Sequence, residues 1–327
     1  MKANTIPFLT LVSIVLHHQY LIYHVIHPNH MLDCWTGIEF LRVMQDLRLS
    51  LPDIISDIFV WISSPAVYMA IPIMAMAVMF WFVSKRSGEF CMLNVVMAYN
   101  LMNLIKFAVR QPRPWVLDPE IHPAEGSADH ATGYSFPSGH SAIAVAGYGS
   151  LAVIADDRRI RAVLSAVAIA ILFARLYLCV HTPIDVLFGA AMSVGVMVMN
   201  KMLLQISYRD EESYRVVSAI YILIAVCVSA GILILSDTDQ RNMMIGIGFL
   251  CGVSIGRVIE HRCVRYEIPE IRPRTKAVSS AAGLIIAAVL IAVPMMFGDI
   301  GAGIGAFLAV IWMYDVFPHI MMVHFRG

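Results

Sequence analysis

Val216 to Leu235 reads VVSAIYILIAVCVSAGILIL, twenty residues without one charged or histidine side chain. A helix that crosses a bilayer needs about 20 mostly apolar residues, because its backbone polar groups must be satisfied internally where water is absent. Reading outward from this stretch on the same criterion gives ten spans, near 7–26, 58–83, 90–109, 139–155, 162–180, 184–206, 216–235, 242–259, 277–297 and 301–323. The expected fold is therefore all-α, a polytopic transmembrane bundle. Composition agrees: 59% of residues are hydrophobic and 14% charged, whereas soluble domains carry about 25% charged residues. The formal net charge is zero. No global field recruits nucleic acid, and electrostatic function has to be local.

The first span has the weakest signal. Ile6 to Leu16 resembles a signal peptide, but His17, His18 and Gln19 stand where a small-residue cleavage site belongs, so it is read as retained. Thr36 to Ile58 mixes Glu39, Arg42, Asp46, Arg48 and Asp53 with apolar residues, which suits a helix lying in the interface. Six cysteines stand singly with no zinc-like spacing and read as packing residues. His17, His18, His24, His27 and His30 lack ligand spacing and read as interfacial.

With the N-terminus cytoplasmic, 16 of the 23 basic residues fall at inner ends, and only Arg42, Arg48, Lys106, Arg110, Arg113, Arg175 and Arg241 fall outside. The bias of basic residues toward cytoplasmic loops then places both termini inside. Two blocks are expected, 1–206 with six spans and 207–327 with four. Gly248, Gly252 and Gly256 at four-residue spacing suit close helix packing. Arg257 to Lys276 reads as a basic, proline-broken loop at anionic headgroups.

Ionisable groups at span ends are costly and are functional candidates by default. Lys106 ends the third span, and Arg113 follows in Lys106-Phe-Ala-Val-Arg-Gln-Pro-Arg113-Pro114, where the prolines stop the helix. In Phe136-Pro137-Ser138-Gly139-His140-Ser141, the apolar run that follows places Ser138 at a helix N-cap and Gly139 and His140 in the first turn, an anion-binding arrangement. In Arg175-Leu-Tyr-Leu-Cys-Val-His181-Thr-Pro183-Ile-Asp185, the four-residue spacing lets Asp185 accept a hydrogen bond from the His181 ring and leave its other nitrogen nucleophilic. The alternative for Asp185 is simple helix capping, and for the cations it is snorkelling.

These pieces, K-x6-R-P, P-S-G-H and R-x5-H-x3-D in order, resemble the signature of the type 2 phosphatidic acid phosphatase (PAP2) superfamily, with Ala174 where that family usually has serine. The resemblance implies a membrane-bound lipid phosphatase. It puts phosphate binding on Lys106, Arg113, Ser138, Gly139 and Arg175, the nucleophile on His181, the acid on His140 and the orienter on Asp185. It further implies a phosphohistidine intermediate, a lipid phosphate partner, and no metal or other cofactor, since three cations supply the positive charge. The expected setting is a bacterial inner membrane with the site extracytoplasmic. Rival readings are a phosphotransferase that uses the same phosphohistidine and an anionic-lipid transporter or flippase. Soluble vanadate haloperoxidases share the signature, but ten spans speak against that chemistry. The outer loop Trp115 to Tyr134 reads as solvated, and Arg110 receives no role.

Overall fold

The computed structural model describes residues 37–128, 131, 133–236 and 240–325. The span expected at 7–26 and the five histidines around it lie outside the described residues, as do Lys2, Asp129, His130 and Arg326. Among the described residues every regular element is helical. In chain order these are α1 (Ile38–Leu49), α2 (Asp53–Phe82), α3 (Lys85–Val109), α4 (Pro114–Leu117), α5 (Gly139–Ile154), α6 (Arg158–Tyr177), α7 (Pro183–Ser207), α8 (Glu211–Leu235), α9 (Gln240–Val264), α10 (Pro273–Met295) and α11 (Gly298–Phe325). Eight of them, all but α1, α4 and α5, are long and apolar enough to cross a membrane, and α5 is a shorter apolar helix. A helix thus stands at each of the nine spans expected after the first.

Boundaries shift where local chemistry dominates. The second span begins at Asp53, because Pro52 separates it from α1, so only the first part of the expected interfacial stretch is the separate helix α1. Within α2, Pro65 lacks an N–H and is followed by a π-turn over Ala66–Ala70. The Tyr148 hydroxyl donates to the Val67 carbonyl at 2.5 Å, tying that turn to α5.

The central helix is α3, whose span is 61% buried, against 11% for the peripheral α10. In hydrocarbon the helices gain little from apolar contact with one another and are joined instead by close packing and interhelical hydrogen bonds. A polar chain runs through the core: Asn94 Nδ2 of α3 donates to Ser150 Oγ of α5 (2.8 Å), Asn200 Nδ2 of α7 donates to Asn94 Oδ1 (2.7 Å), and Tyr221 of α8 donates to Asn200 Oδ1 (3.1 Å). Four helices are registered by three bonds.

The glycine spacing in α9 does serve close packing. A Cβ at Gly248 would stand 2.1 Å from the Gly303 carbonyl oxygen, and one at Gly252 would stand 2.8 Å from Val310 Cβ, so α9 and α11 meet at backbone distance. The reading of Arg257 as part of a headgroup loop requires correction. The helix continues through a π-turn to Val264, and Arg257 is 1% exposed. Its Nε pairs with Glu89 Oε1 at 2.5 Å, its Nη2 donates to Ser207, and its guanidinium lies over the rings of Tyr214 and Tyr221. Glu89 also accepts from the Tyr208 hydroxyl. Sequence periodicity could not find this, because the partner that makes burial tolerable is 168 residues away.

Removing one member of a buried ion pair leaves the other charge uncompensated, at a cost of about 3–5 kcal/mol. Arg257→Ala should therefore lower the thermal midpoint of the purified protein in detergent far more than the double change Glu89→Gln, Arg257→Met, which removes both charges. Equal midpoints for the two variants would contradict this role.

Candidate active site

The cation-bearing end of α3 is shaped by its terminus. Arg110 takes a left-handed conformation (φ 56°) and ends the helix, and its Nη2 donates to the Leu235 carbonyl at 2.9 Å, so Arg110 fastens α3 to α8. Lys106, 9% exposed, turns its ammonium onto the Tyr134 carbonyl at 2.5 Å. Arg113 caps α4 from an extended backbone that Pro114 enforces. Its Nε donates to the Gly133 carbonyl (3.0 Å) and its Nη1 to the Val180 carbonyl (3.1 Å). Both cations thus donate to main-chain oxygens.

Ser138 is the N-cap of α5, accepting from the Ser141 N–H, as its place before an apolar run requires. Gly139 and His140 open the helix, with first-turn N–H groups that have no intrahelical acceptor. A Cβ at Gly139 would come within 3.1 Å of Met102 Cε, so the absent side chain keeps the floor of the site open. A Cβ at Gly189 of α7 would stand 2.7 Å from the Ser138 carbonyl oxygen, so this glycine lets α7 approach the cap. Sequence reading passed over Gly189, since nothing local distinguishes it from other glycines.

Between α6 and α7 the chain reverses through Cys179, buried and in the left-handed region (φ 56°). His181 therefore lies just before α7 and does not sit on its face, which corrects the helical placement read from the spacing. Thr182 is the N-cap, Pro183 the first helical residue, and Asp185 closes a capping box with Thr182. Asp185 also reaches the His181 ring: its Oδ2 lies 3.4 Å from His181 Nδ1 while accepting the Thr182 N–H at 2.9 Å. One arrangement caps α7 and meets the ring.

The tautomer of His181 follows from its neighbours. Arg113 Nη1 lies 3.1 Å from His181 Nε2, and a guanidinium can only donate, so Nε2 is the acceptor and Nδ1 carries the proton toward Asp185. Burial, then the charges of Arg113, Lys106 and Arg175, hold the His181 imidazole well below its usual pKa. The ring is neutral, with its Nε2 lone pair accepting from the Arg113 guanidinium.

Arg175 ends α6 at 1% exposure, and its Nε and Nη2 have no hydrogen-bond partner. His140 is buried with Nε2 likewise unpartnered, its ring 4.1 Å from that of Tyr68 on the π-turn of α2. Lys106, Arg113, Gly139, His140 and His181 line one cavity of about 350 Å³. Ser138 and Asp185 stand at its back, joined by the bond from the Ser138 N–H to the Asp185 carbonyl at 3.0 Å. Residues from three separate motifs thus surround one hollow.

Three contributors escaped sequence reading. Ser135 donates to Asp185 Oδ2 at 2.6 Å and lies 3.5 Å from His181 Nδ1; its only signal is a small polar residue beside the serine-histidine motif. Tyr68 comes from a span with no motif at all. Asn103, one turn before Lys106, also lines the cavity. The outer loop is packed, not solvated: Ile121, Ala124 and Ser127 are buried, and α1 covers the loop through Arg42 to Asp118 (2.8 Å), Gln45 to the Glu120 carbonyl (2.9 Å) and Arg48 to the His122 carbonyl (2.6 Å). A Cβ at Gly37, just before α1, would stand 2.7 Å from Pro183 Cδ, so α1 reaches the His181 turn itself.

Neither the curated proteins nor the solved structures contain a match to this chain. The PAP2 superfamily model matches residues 89–211, a stretch that contains all three motifs and ends at the start of α8. Over residues 89–211, a little over a third of its length, the chain is similar to the PAP2 superfamily, a likeness that suggests phosphatase-type activity on phosphate esters.

Proposed function

We propose that the protein hydrolyses a lipid phosphate or diphosphate at the extracytoplasmic membrane face, with His181 as nucleophile. The observation that carries this reading is that His181, whose Nε2 is an acceptor, and His140, whose Nε2 has no hydrogen-bond partner, line the same hollow. In the first step His181 Nε2 forms a bond to phosphorus while the bond from phosphorus to the lipid oxygen breaks, and His140 gives its proton to the departing alkoxide. Asp185 stabilises the positive charge that develops on the His181 ring. In the second step His140 takes a proton from water, whose oxygen displaces the phosphohistidine nitrogen and releases inorganic phosphate.

Lys106, Arg113 and Arg175 hold the non-bridging oxygens, joined by the first-turn N–H groups of α5. Arg113 rests on His181 Nε2 and would transfer to the phosphate, freeing the nucleophile as the substrate seats. Arg175 is not among the residues that line the cavity, and its part in anion binding is proposed from its two unpartnered nitrogens. Three cations supply the charge compensation that magnesium gives other phosphoryl-transfer enzymes. The lipid reading is supported by the apolar spans that surround the cavity, and the membrane face by the scarcity of basic residues on that side. The expected setting remains a bacterial inner membrane.

His181→Ala should abolish phosphate release from lipid phosphates in detergent, by about 10³-fold or more; release at the wild-type rate would return the site to an anion-binding transporter. Phosphorylated lipid in place of free phosphate among the products would mark a phosphotransferase. Activity should persist in excess EDTA, and loss that magnesium restores would contradict the cation account. Because His181 stays neutral well below the ordinary imidazole range, kcat/KM should fall on the acid side only below about pH 6.5. A pH–rate profile whose acid limb lies above pH 6.5 would contradict the environment assigned to His181.

A further inference from the structure

The two histidines of the site are held by different means. The His181 ring meets Arg113 at Nε2 and Asp185 at Nδ1, so a hydrogen-bonding group lies at each of its nitrogens. The His140 ring, 7% exposed, has no hydrogen-bond partner at Nε2 among the described residues. Against it lies the ring of Tyr68, with centroids 4.1 Å apart and planes at 39°. The second side-chain torsion of a histidine has broad wells, so packing has to set a ring angle that hydrogen bonds leave open.

Tyr68 is itself firmly placed. It stands in the π-turn Ala66–Ala70 of α2, and the adjacent Val67 is buried and gives its carbonyl to the Tyr148 hydroxyl at 2.5 Å. Tyr148 belongs to a second π-turn, Val145–Gly149, about two helical turns beyond His140 on α5. A Cβ at Gly147 in that turn would stand 2.9 Å from Pro72 Cβ, so α2 lies tight against the helix that carries His140. Such π-turns are rare and recur at functional sites. Pro65, Tyr68 and Met69 of α2 line the same cavity as His140 and His181.

We infer that Tyr68 is a positioning residue, whose ring sets the angle of the His140 imidazole from which a proton reaches the departing lipid oxygen. This role rests on the phosphatase reading above, with His140 as the acid. Aromatic rings in contact prefer particular tilted and offset arrangements, and a proton donor has to lie within hydrogen-bond reach of the oxygen it serves. A leucine at this position would fill part of the space without fixing the angle. Because α2 precedes residues 89–211, it completes the site from outside the segment that carries the three motifs.

The test uses the leaving group. An alkoxide departs only as it gains a proton, whereas a nitrophenolate departs without one, and kcat/KM isolates the steps through that departure. It is measured in detergent micelles for a long-chain alkyl phosphate and for a nitrophenyl phosphate bearing the same alkyl chain, in the wild type, Tyr68→Phe and Tyr68→Leu. The ratio of the two values within each variant is independent of the fraction of folded enzyme. Tyr68→Leu should lower kcat/KM for the alkyl phosphate about tenfold more than for the nitrophenyl phosphate, the preference that an aromatic pair can impose. Tyr68→Phe, which keeps the ring, should keep the wild-type ratio. A wild-type ratio in Tyr68→Leu, or a ratio in Tyr68→Phe that falls as far as in Tyr68→Leu, overturns the inference and leaves the phosphatase reading standing. Phosphate release from neither substrate by the wild type refutes the phosphatase reading, and the inference with it.

Discussion

Asp185 is the joint on which the site depends. Its Oδ2 takes the Ser135 hydroxyl, the Thr182 N–H and the His181 ring, and its carbonyl takes the Ser138 N–H. One residue therefore starts α7, meets the His181 ring, anchors the strip before α5 and positions the N-cap of α5. A buried carboxylate depends on its hydrogen bonds; here Oδ2 makes them while Oδ1 has no partner, and the groups bonded to Oδ2 belong to the candidate site. Helix capping and site assembly share the same bonds.

From that joint the rest of the architecture follows in layers. Gly189 lets α7 close onto Ser138, the asparagine and tyrosine bonds of the core register α3 against α5, α7 and α8, and the buried Arg257 ties the last spans to Glu89 at the start of the matched segment. On the outer side α1 covers the loop that brings Arg113 inward. Main-chain carbonyls of Tyr134, Gly133 and Val180 accept from Lys106 and Arg113 and hold them at the cavity wall.

What could be read from sequence was local. Run length located the spans, because the hydrocarbon thickness sets a length requirement that neighbours cannot alter. The N-cap at Ser138 and the first-turn proline at Pro183 were legible because capping chemistry involves only residues three or four apart. The His181 and Asp185 contact was also legible, although the helical reason for it was wrong: His181 precedes α7, and a capping box produces the proximity. Ser135, Tyr68 and Gly189 were illegible because their importance lies in contacts from 40 to 80 positions away. Arg257 was misread for the same reason, since a basic residue before a proline-broken segment looks the same whether it meets lipid or a buried glutamate.

The central claim is that two displacements at phosphorus occur in one hollow, the first by His181 and the second by water. Each in-line displacement inverts phosphorus, so hydrolysis of an oxygen-isotope-chiral phosphorothioate ester should proceed with net retention of configuration. Net inversion would mean that water attacks the ester directly, and the nucleophilic role of His181 would fall.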